Sequence, residues 1–368
     1  MTALFTPLVL RSLDIRNRVW MAPMCQYSAP ADGEHTGAPG DWHFTHLATR
    51  AVGGAGLVMT EGTAVTAAGR ITPADLGLWN DTQQAAFQRI AQGLRALGSV
   101  PAIQLTHAGR KASTARPWDG GTPLTPDYGG WHPVGPSPLP YAPGHLAPHE
   151  LTVPEIHRIV DDFARAARRA LDAGFQVAEV HGAHGYLIHQ FLSPYTNRRG
   201  DQYGGSFSNR IRFALEVVDA VRSVWPDGLP VFFRASATDW LERSAAEGPG
   251  QHGWEVEDTV RLSVELLDHG VDLLDISSGG VAPGIRKPVA PGYQVPFATT
   301  VRHKSGAPVS AVGLITDPHQ AEHIVTTGQA DAVMLGRELL RNPYWPHRAA
   351  QELGAKPTWP QPYEMAHP

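Results

Sequence analysis

Eight short apolar runs recur along the chain, each followed by a stretch of helical periodicity, and this alternation constrains the fold more than any other feature. The runs are Arg18–Met24, Gly56–Thr60, Ala102–Thr106, Gln176–Val180, Val231–Ala235, Leu273–Ser277, Val309–Val312 and Ala332–Leu335. Between and after them lie Asp41–Val52, Thr82–Leu97, Val153–Ala173, Ser208–Val224, Glu255–His269, Tyr293–His303, Pro318–Thr327 and Glu338–Leu353, with apolar residues near i, i+3/i+4 spacing. Strands alternating with amphipathic helices predict parallel βαβ units. Eight such units predict an α/β chain closed into a (β/α)8 TIM barrel. Local signals agree: Pro154 and the Asp317-Pro318 pair mark helix starts, and Gly174 and Gly328 stand where helices stop.

One segment breaks the rhythm. From Ser113 to Leu151, after the third run, Gly, Pro and aromatic residues crowd together. A loop of this length is usually a lid or binding excursion, which predicts a cap on the C-terminal face of the barrel; a passive surface loop is the alternative. No fixed-period repeat divides the 368 residues, so one domain spanning 1–368 is expected, with 113–151 as the insertion and 354–368 as a C-terminal tail. Gly and Pro together number 38 + 32 = 70, a loop-rich composition that still leaves 42% hydrophobic residues for a core.

Charge and cysteine content exclude several classes. A net charge of −5 gives no basic field for nucleic acid. A single cysteine, Cys25, rules out an intrachain disulfide and any multi-cysteine metal site, which fits a reducing compartment. The start of the chain, interrupted by Arg11, Asp14 and Arg16, does not read as a signal peptide. No run approaches the roughly 18 uncharged apolar residues of a membrane span. The expectation is a cytoplasmic protein with neither membrane nor nucleic acid as partner.

Barrels of this kind carry their sites at the C-terminal ends of the strands. The residues there are polar and aromatic: Pro23, Met24, Cys25, Gln26 and Tyr27; Glu61, Gly62 and Thr63; Gln104, His107, Arg110 and Lys111; His181 to Tyr186; Arg234; Gly313; and Gly336-Arg337. Gly313, Gly336 and Arg337 suit a phosphate, although a glycine ending a strand is also an ordinary turn. His181 and His184 could donate hydrogen bonds to a carbonyl oxygen and Tyr186 could deliver a proton. The same cluster, extended by His189, equally suits a zinc ion or plain packing. Arg234, ending an apolar strand, must be paired or face a ligand, and Cys25 alone reads as a buried thiol.

The run His181-Gly-Ala-His-Gly-Tyr-Leu-Ile-His-Gln-Phe-Leu-Ser-Pro194, with Asn197-Arg-Arg-Gly-Asp-Gln-Tyr-Gly-Gly-Ser206 and Asn209-Arg-Ile-Arg-Phe213, closely resembles the old yellow enzyme family of flavin-dependent ene-reductases, from about Leu4 to Leu353. Ala22-Pro-Met-Cys-Gln-Tyr27 and His107-Ala-Gly-Arg-Lys111 are similar to its thermophilic-like subclass. The resemblance implies FMN on a barrel, NADPH or NADH as hydride donor, and reduction of the C=C bond of activated alkenes. It places the flavin against Ala22, Pro23, Met24, Cys25 and Gly62, with Gln104 on the pyrimidine edge, Arg234 beside N1, and Gly313, Gly336 and Arg337 on the phosphate. His181 and His184 would grip the substrate oxygen, Tyr186 would protonate the α-carbon, Tyr27 would be a second substrate contact, and no metal would take part.

A homodimer or homotetramer is implied as well. Two departures stand out: the subclass motif Tyr-Glu-Arg reads Tyr363-Glu364-Met365 here, and Gly62 replaces a frequent alanine. Arg110 and Lys111, placed near the rim, suggest attraction for a phosphate-bearing cofactor. The competing readings are a zinc-dependent barrel hydrolase using His181, His184 and His189, and a flavin-binding protein without turnover.

Overall fold

The computed structural model describes residues 2–241 and 253–366; the expected domain 1–368 and tail 354–368 therefore run, at residues 1, 242–252 and 367–368, outside the described residues. The chain opens with an antiparallel hairpin of β1 (Leu8–Leu10) and β2 (Leu13–Ile15). Then come β3 (Val19–Met21), β4 (Leu57–Ala64) and β5 (Val100–Thr106), the small parallel pair β6 (Val134–Gly135) and β7 (His149–Glu150), and β8 (Val177–Gly182), β9 (Val231–Ser236), β10 (Leu273–Ser277), β11 (Val309–Ala311) and β12 (Ala332–Leu335). Strands β3, β4, β5, β8, β9, β10, β11 and β12 close into a barrel, all parallel, with β12 paired back to β3.

The helices are α1 (Asp41–Val52), α2 (Asp81–Ala96), α3 (Val153–Asp172), α4 (Leu187–Leu192), α5 (Phe207–Val224), α6 (Val256–Asp268), α7 (Val295–Ser305), α8 (Pro318–Thr326), α9 (Arg337–Arg341) and α10 (Trp345–Glu352). No helix among the described residues is long and apolar enough to cross a membrane. The helix starts read from sequence are capped: Asp317 accepts the Gln320 N–H at 2.8 Å, and at the α3 start Glu155, which the sequence reading did not single out, accepts the N–H and hydroxyl of Thr152, each at 2.8 Å. Such caps are worth about 1 kcal/mol apiece.

Side chains alternate along each strand, which sorts the core into two layers. Leu57, Met59, Ala102, Val177, Phe232, Leu273 and Met334 fill the barrel, where Trp20 stacks on Phe232 at 5.8 Å. Val58, Ile103, Ala178, Val231 and Phe233 face outward against the helices. Leu10, Leu13 and Ile15 of the hairpin belong to the inner layer, and Ser12 N–H donates to the Gly228 carbonyl just before β9. The hairpin therefore plugs the barrel at the N-terminal ends of its strands.

Several features depart from the expectations. The predicted helix Glu338–Leu353 is two helices, because Pro343 has no N–H to donate and disfavours helical geometry at Asn342. Strand β8 runs two residues past Val180, so His181 sits within it; strand β3 covers only Val19–Met21 of the run Arg18–Met24. Helix α4 is buried on every side, so it has no amphipathic signature to reveal it. The excursion 113–151 carries the 3-10 turns Pro117–Asp119 and Pro126–Tyr128 besides β6 and β7.

Candidate active site

The end of β8 builds one wall of the mouth. His181 Nδ1 accepts the Ala183 N–H at 3.2 Å, which leaves the ring proton on Nε2. His184 follows with φ of +59°, its N–H on Ser236 Oγ and its carbonyl on Lys111 Nζ, both at 2.9 Å. Its Nε2 lies 2.7 Å from Ser277 Oγ. A side chain at position 185 would collide with the Gly280 carbonyl at 2.1 Å, so glycine is required for this turn. The His181 ring centroid ends up 5.2 Å from that of His184 and 5.0 Å from that of Tyr186, edge to face in both pairs.

Electrostatics keeps this trio uncharged. Burial, then the Arg234 charge, holds both imidazoles well below the usual histidine range. Burial, with the Cys25 thiol and Tyr27 behind it, holds the Tyr186 phenol well above its usual range. Lys111 Nζ lies 4.9 Å from the Tyr186 ring centroid and 4.8 Å from that of Tyr141; burial, then Arg110 and Lys287, pushes its pKa down to about 8.

The structure corrects the zinc reading. His189 Nδ1 accepts the Gly185 N–H at 2.8 Å and its Nε2 faces Asp239 Oδ1 at 2.9 Å. Both ring nitrogens are engaged in holding the turn, and Asp239 also accepts from Ser193 Oγ and the Trp254 N–H. Among the described residues no group of three His, Cys, Asp or Glu could hold a metal ion. Arg110 is corrected too. It is buried and directs its guanidinium to the carbonyls of Leu139, Pro140 and Val281, bracing the excursion where a rim phosphate contact was expected.

Beside the trio opens a cleft of about 490 Å³ lined in part by Arg234, Ser277, Gln294, Gly313, Gly336 and Arg337. Gly313 has φ of +136°, and a Cβ on Gly336 would touch Met24 Sδ at 3.5 Å. Deeper in the barrel, Gln104 Nε2 donates to Glu179 Oε1 at 2.7 Å, while Arg234 Nε lies 2.8 Å from Asp275 Oδ2. The Arg234 contact is misaligned for a hydrogen bond, so the two groups pair as charges. Burial and then Asp275 push Glu179 up to about 8 against the pull of Arg234. Thr106 Oγ1 and Glu179 Oε2 are buried with no hydrogen-bond partner. Pairing Arg234 with Asp275 meets one half of the sequence argument, and its place in the cleft meets the other.

Chain leaving β3 closes the opposite side. The Ala22 N–H donates to the Leu335 carbonyl, and Pro23 and Met24 lead to Cys25, whose thiol is pushed up by burial and by the nearby Asp75 and Glu61. A protonated thiol of this kind is a poor nucleophile. Tyr27, at φ of +49°, has its phenol pushed up by burial and then by the neighbouring Cys25. Burial pushes the Glu61 carboxyl well above its usual range, against the pull of the Gln26 and Tyr27 backbone N–H groups beside it. Position 62 is tight: a Cβ there would meet Thr106 Cγ2 at 3.3 Å and Gln104 Oε1 at 3.4 Å. Trp118 of the excursion stands edge-on to Tyr27, ring centroids 5.8 Å apart, beside a second cleft of about 540 Å³ shared by Tyr27, Lys111, Pro117 and Tyr141. Met365, where the subclass has arginine, is 98% exposed.

A parallel eight-stranded barrel with this mouth defines an FMN-dependent oxidoreductase of the NADH:flavin oxidoreductase / NADH oxidase family, to which the chain belongs through residues 3–356. It is 45% identical to an NADPH dehydrogenase of Geobacillus sp. (strain WCH70) over 353 residues, 96% of this chain and 95% of that one. It superposes on morphinone reductase in complex with tetrahydroNAD with a TM-score of 0.76 at 32% identity, covering 98% of this chain and 93% of that one. An old yellow enzyme homologue from Zymomonas mobilis gives a TM-score of 0.76 at 27% identity over 95% of this chain and 93% of that one. The residues fit the flavin: the partnerless Thr106 Oγ1 and Glu179 Oε2 sit on the strands that carry Gln104 and His181, and a guanidinium lines a cleft ending in glycines and Arg337.

Proposed function

We propose that the protein is an NAD(P)H-dependent ene-reductase that reduces the C=C bond of α,β-unsaturated carbonyl or nitro compounds in two alternating half-reactions. Bound FMN supplies hydride exchange between the nicotinamide and the alkene. Ala22, Pro23, Met24, Cys25 and Gly62 hold its ring, Gln104 and Arg234 its pyrimidine side, and Gly313, Gly336 and Arg337 its phosphate. His181 and His184 donate hydrogen bonds to the substrate oxygen and stabilise the charge that grows there. Tyr186, kept protonated, gives its proton to the α-carbon. Tyr27 contacts the substrate, and Cys25, un-ionised beside the flavin ring, tunes it without forming a bond. The chain acts as one domain with 113–151 as its lid, assembled as a homodimer or homotetramer.

One observation carries the reading: two neutral imidazoles and an un-ionised phenol, with the His181 ring within 5.2 Å of each of the other two, centroid to centroid, at the open end of the barrel. Visible spectroscopy tests it. The purified protein should be yellow, bleach with NADPH under anaerobic conditions and regain colour with 2-cyclohexenone. A protein that cannot take up FMN overturns the reading, and a yellow one that never bleaches makes it a flavin carrier.

A further inference from the structure

We propose that the second cleft seats an aromatic, carboxylate-bearing end of the alkene, anchored by the Lys111 ammonium; this rests on the alkene reading of the same mouth. The cleft, of about 540 Å³, has Tyr27, Thr114, Ala115, Pro117 and Tyr141 in its walls, which are therefore mostly flat and apolar. That volume lies in the range of small-ligand sites and leaves room for a ring. Among the described residues lining it, Lys111 is the one that carries charge near neutral pH, since burial holds the His145 imidazole below its usual range.

Lys111 is partly exposed, and its Nζ joins the trio to the cleft, 4.9 Å from the Tyr186 ring centroid and 4.8 Å from that of Tyr141. An ammonium has three N–H groups. Two positions are taken by the His184 and Gly280 carbonyls, at 2.9 and 3.2 Å, and among the described residues no acceptor meets the third. The charges that bear on it are Arg110, beside it in the chain, and Lys287, from the loop after β10. Both are positive, and no carboxylate of the described residues pairs with it. A largely desolvated cation with a donor to spare and only like charges near it calls for an anion. A ligand whose oxygen lies on His181 and His184 meets this ammonium by extending past Tyr186, with its ring between Tyr27 and Tyr141. The class recognised is an aryl enone with a carboxylate on the ring.

Steady-state kinetics of the FMN-loaded protein with 4-carboxybenzylideneacetone and its methyl ester as acceptors tests this. The acid-to-ester ratio of kcat/KM at pH 7 should fall about 10-fold in Lys111→Met, the weight of one hydrogen bond to a charged group. Lys111→Arg, which keeps the charge, should retain the ratio. Taking the ratio removes any loss common to both acceptors, including one from loosening the His184 carbonyl. In the wild type the ratio should also fall as pH rises through about 8, where burial and the like charges of Arg110 and Lys287 bring the Lys111 ammonium to lose its proton. Calorimetry with the saturated product acid should show the same dependence on Lys111 without turnover. A ratio unmoved by Lys111→Met, or by pH where that variant does not fold, overturns the proposal. A KM for NADPH that rises in Lys111→Met, with the KM for NADH and the acid-to-ester ratio unchanged, gives the cation to a dinucleotide phosphate and overturns it as well. Binding of the product acid that depends on Lys111, in a protein that no alkene reoxidises, keeps the cleft assignment and overturns the alkene reading instead.

Discussion

Tyr186 stands within ring contact of His181 while its phenol is held un-ionised, so the proposed proton delivery rests on a single oxygen atom. Tyr186→Phe should retain FMN and reduction by NADPH, and slow flavin reoxidation by enones about 10²–10⁴-fold, the span of general acid catalysis; unchanged reoxidation in stopped flow would falsify its role. The imidazoles make a pH prediction. Histidine ordinarily titrates near about 6.5. Both residues here are shifted downward, so on acidification they take up a proton only below that value. The alkene half-reaction should therefore show no inflection at the ordinary histidine value of about 6.5, with any break near 8 left to Lys111 and Glu179; a break near 6.5 means that the pair is not held neutral. His181, His184 and Tyr186 were legible in the sequence because their spacing is a motif. Glu61 and Ser277 were not, since their contacts exist only across strands: Glu61 meets the Gln26–Tyr27 turn from β4, and Ser277 meets His184 from β10.

Elements were legible where they are amphipathic and long. Helix α3 declared itself by its caps and its apolar stripe, and the eight barrel runs by their bounded lengths. Elements that obey tertiary demands did not: α4 shows no polar face, and the three-residue strands β1 and β2 are interrupted by Arg11 and Asp14. Helix α4 is tied to the His181–Tyr186 turn through His189 and its buried partner Asp239. Removing one member of such a pair leaves the other charged or polar group stranded, at a cost of about 3–5 kcal/mol. Asp239→Ala should lower the chemical-denaturation midpoint accordingly, and His189→Ala should do so while metal chelators leave wild-type turnover unchanged. Chelator-sensitive turnover would revive the metal reading.

At the scale of the molecule, the closed barrel was readable from the count of units, and the composition of the cleft from the residues at the C-terminal end of each strand. The bracing role of Arg110 was hidden because its partners are carbonyls of the excursion and of the loop after β10. A cofactor bound only by the folded barrel must raise its stability by mass action, about 4.1 kcal/mol at a thousand times Kd. FMN-free protein should gain melting temperature with each decade of added FMN, and Arg337→Ala should shift that curve to higher concentration; a superimposable curve removes Arg337 from the phosphate site. The hairpin β1–β2 adds a constraint on traffic. A barrel stoppered by Leu10, Leu13 and Ile15 at one end is entered from the other, where Tyr27, Trp118 and Tyr141 stand. In the proposed two-step cycle reductant and alkene use that mouth in turn, so a surplus of either should obstruct the cycle that needs both.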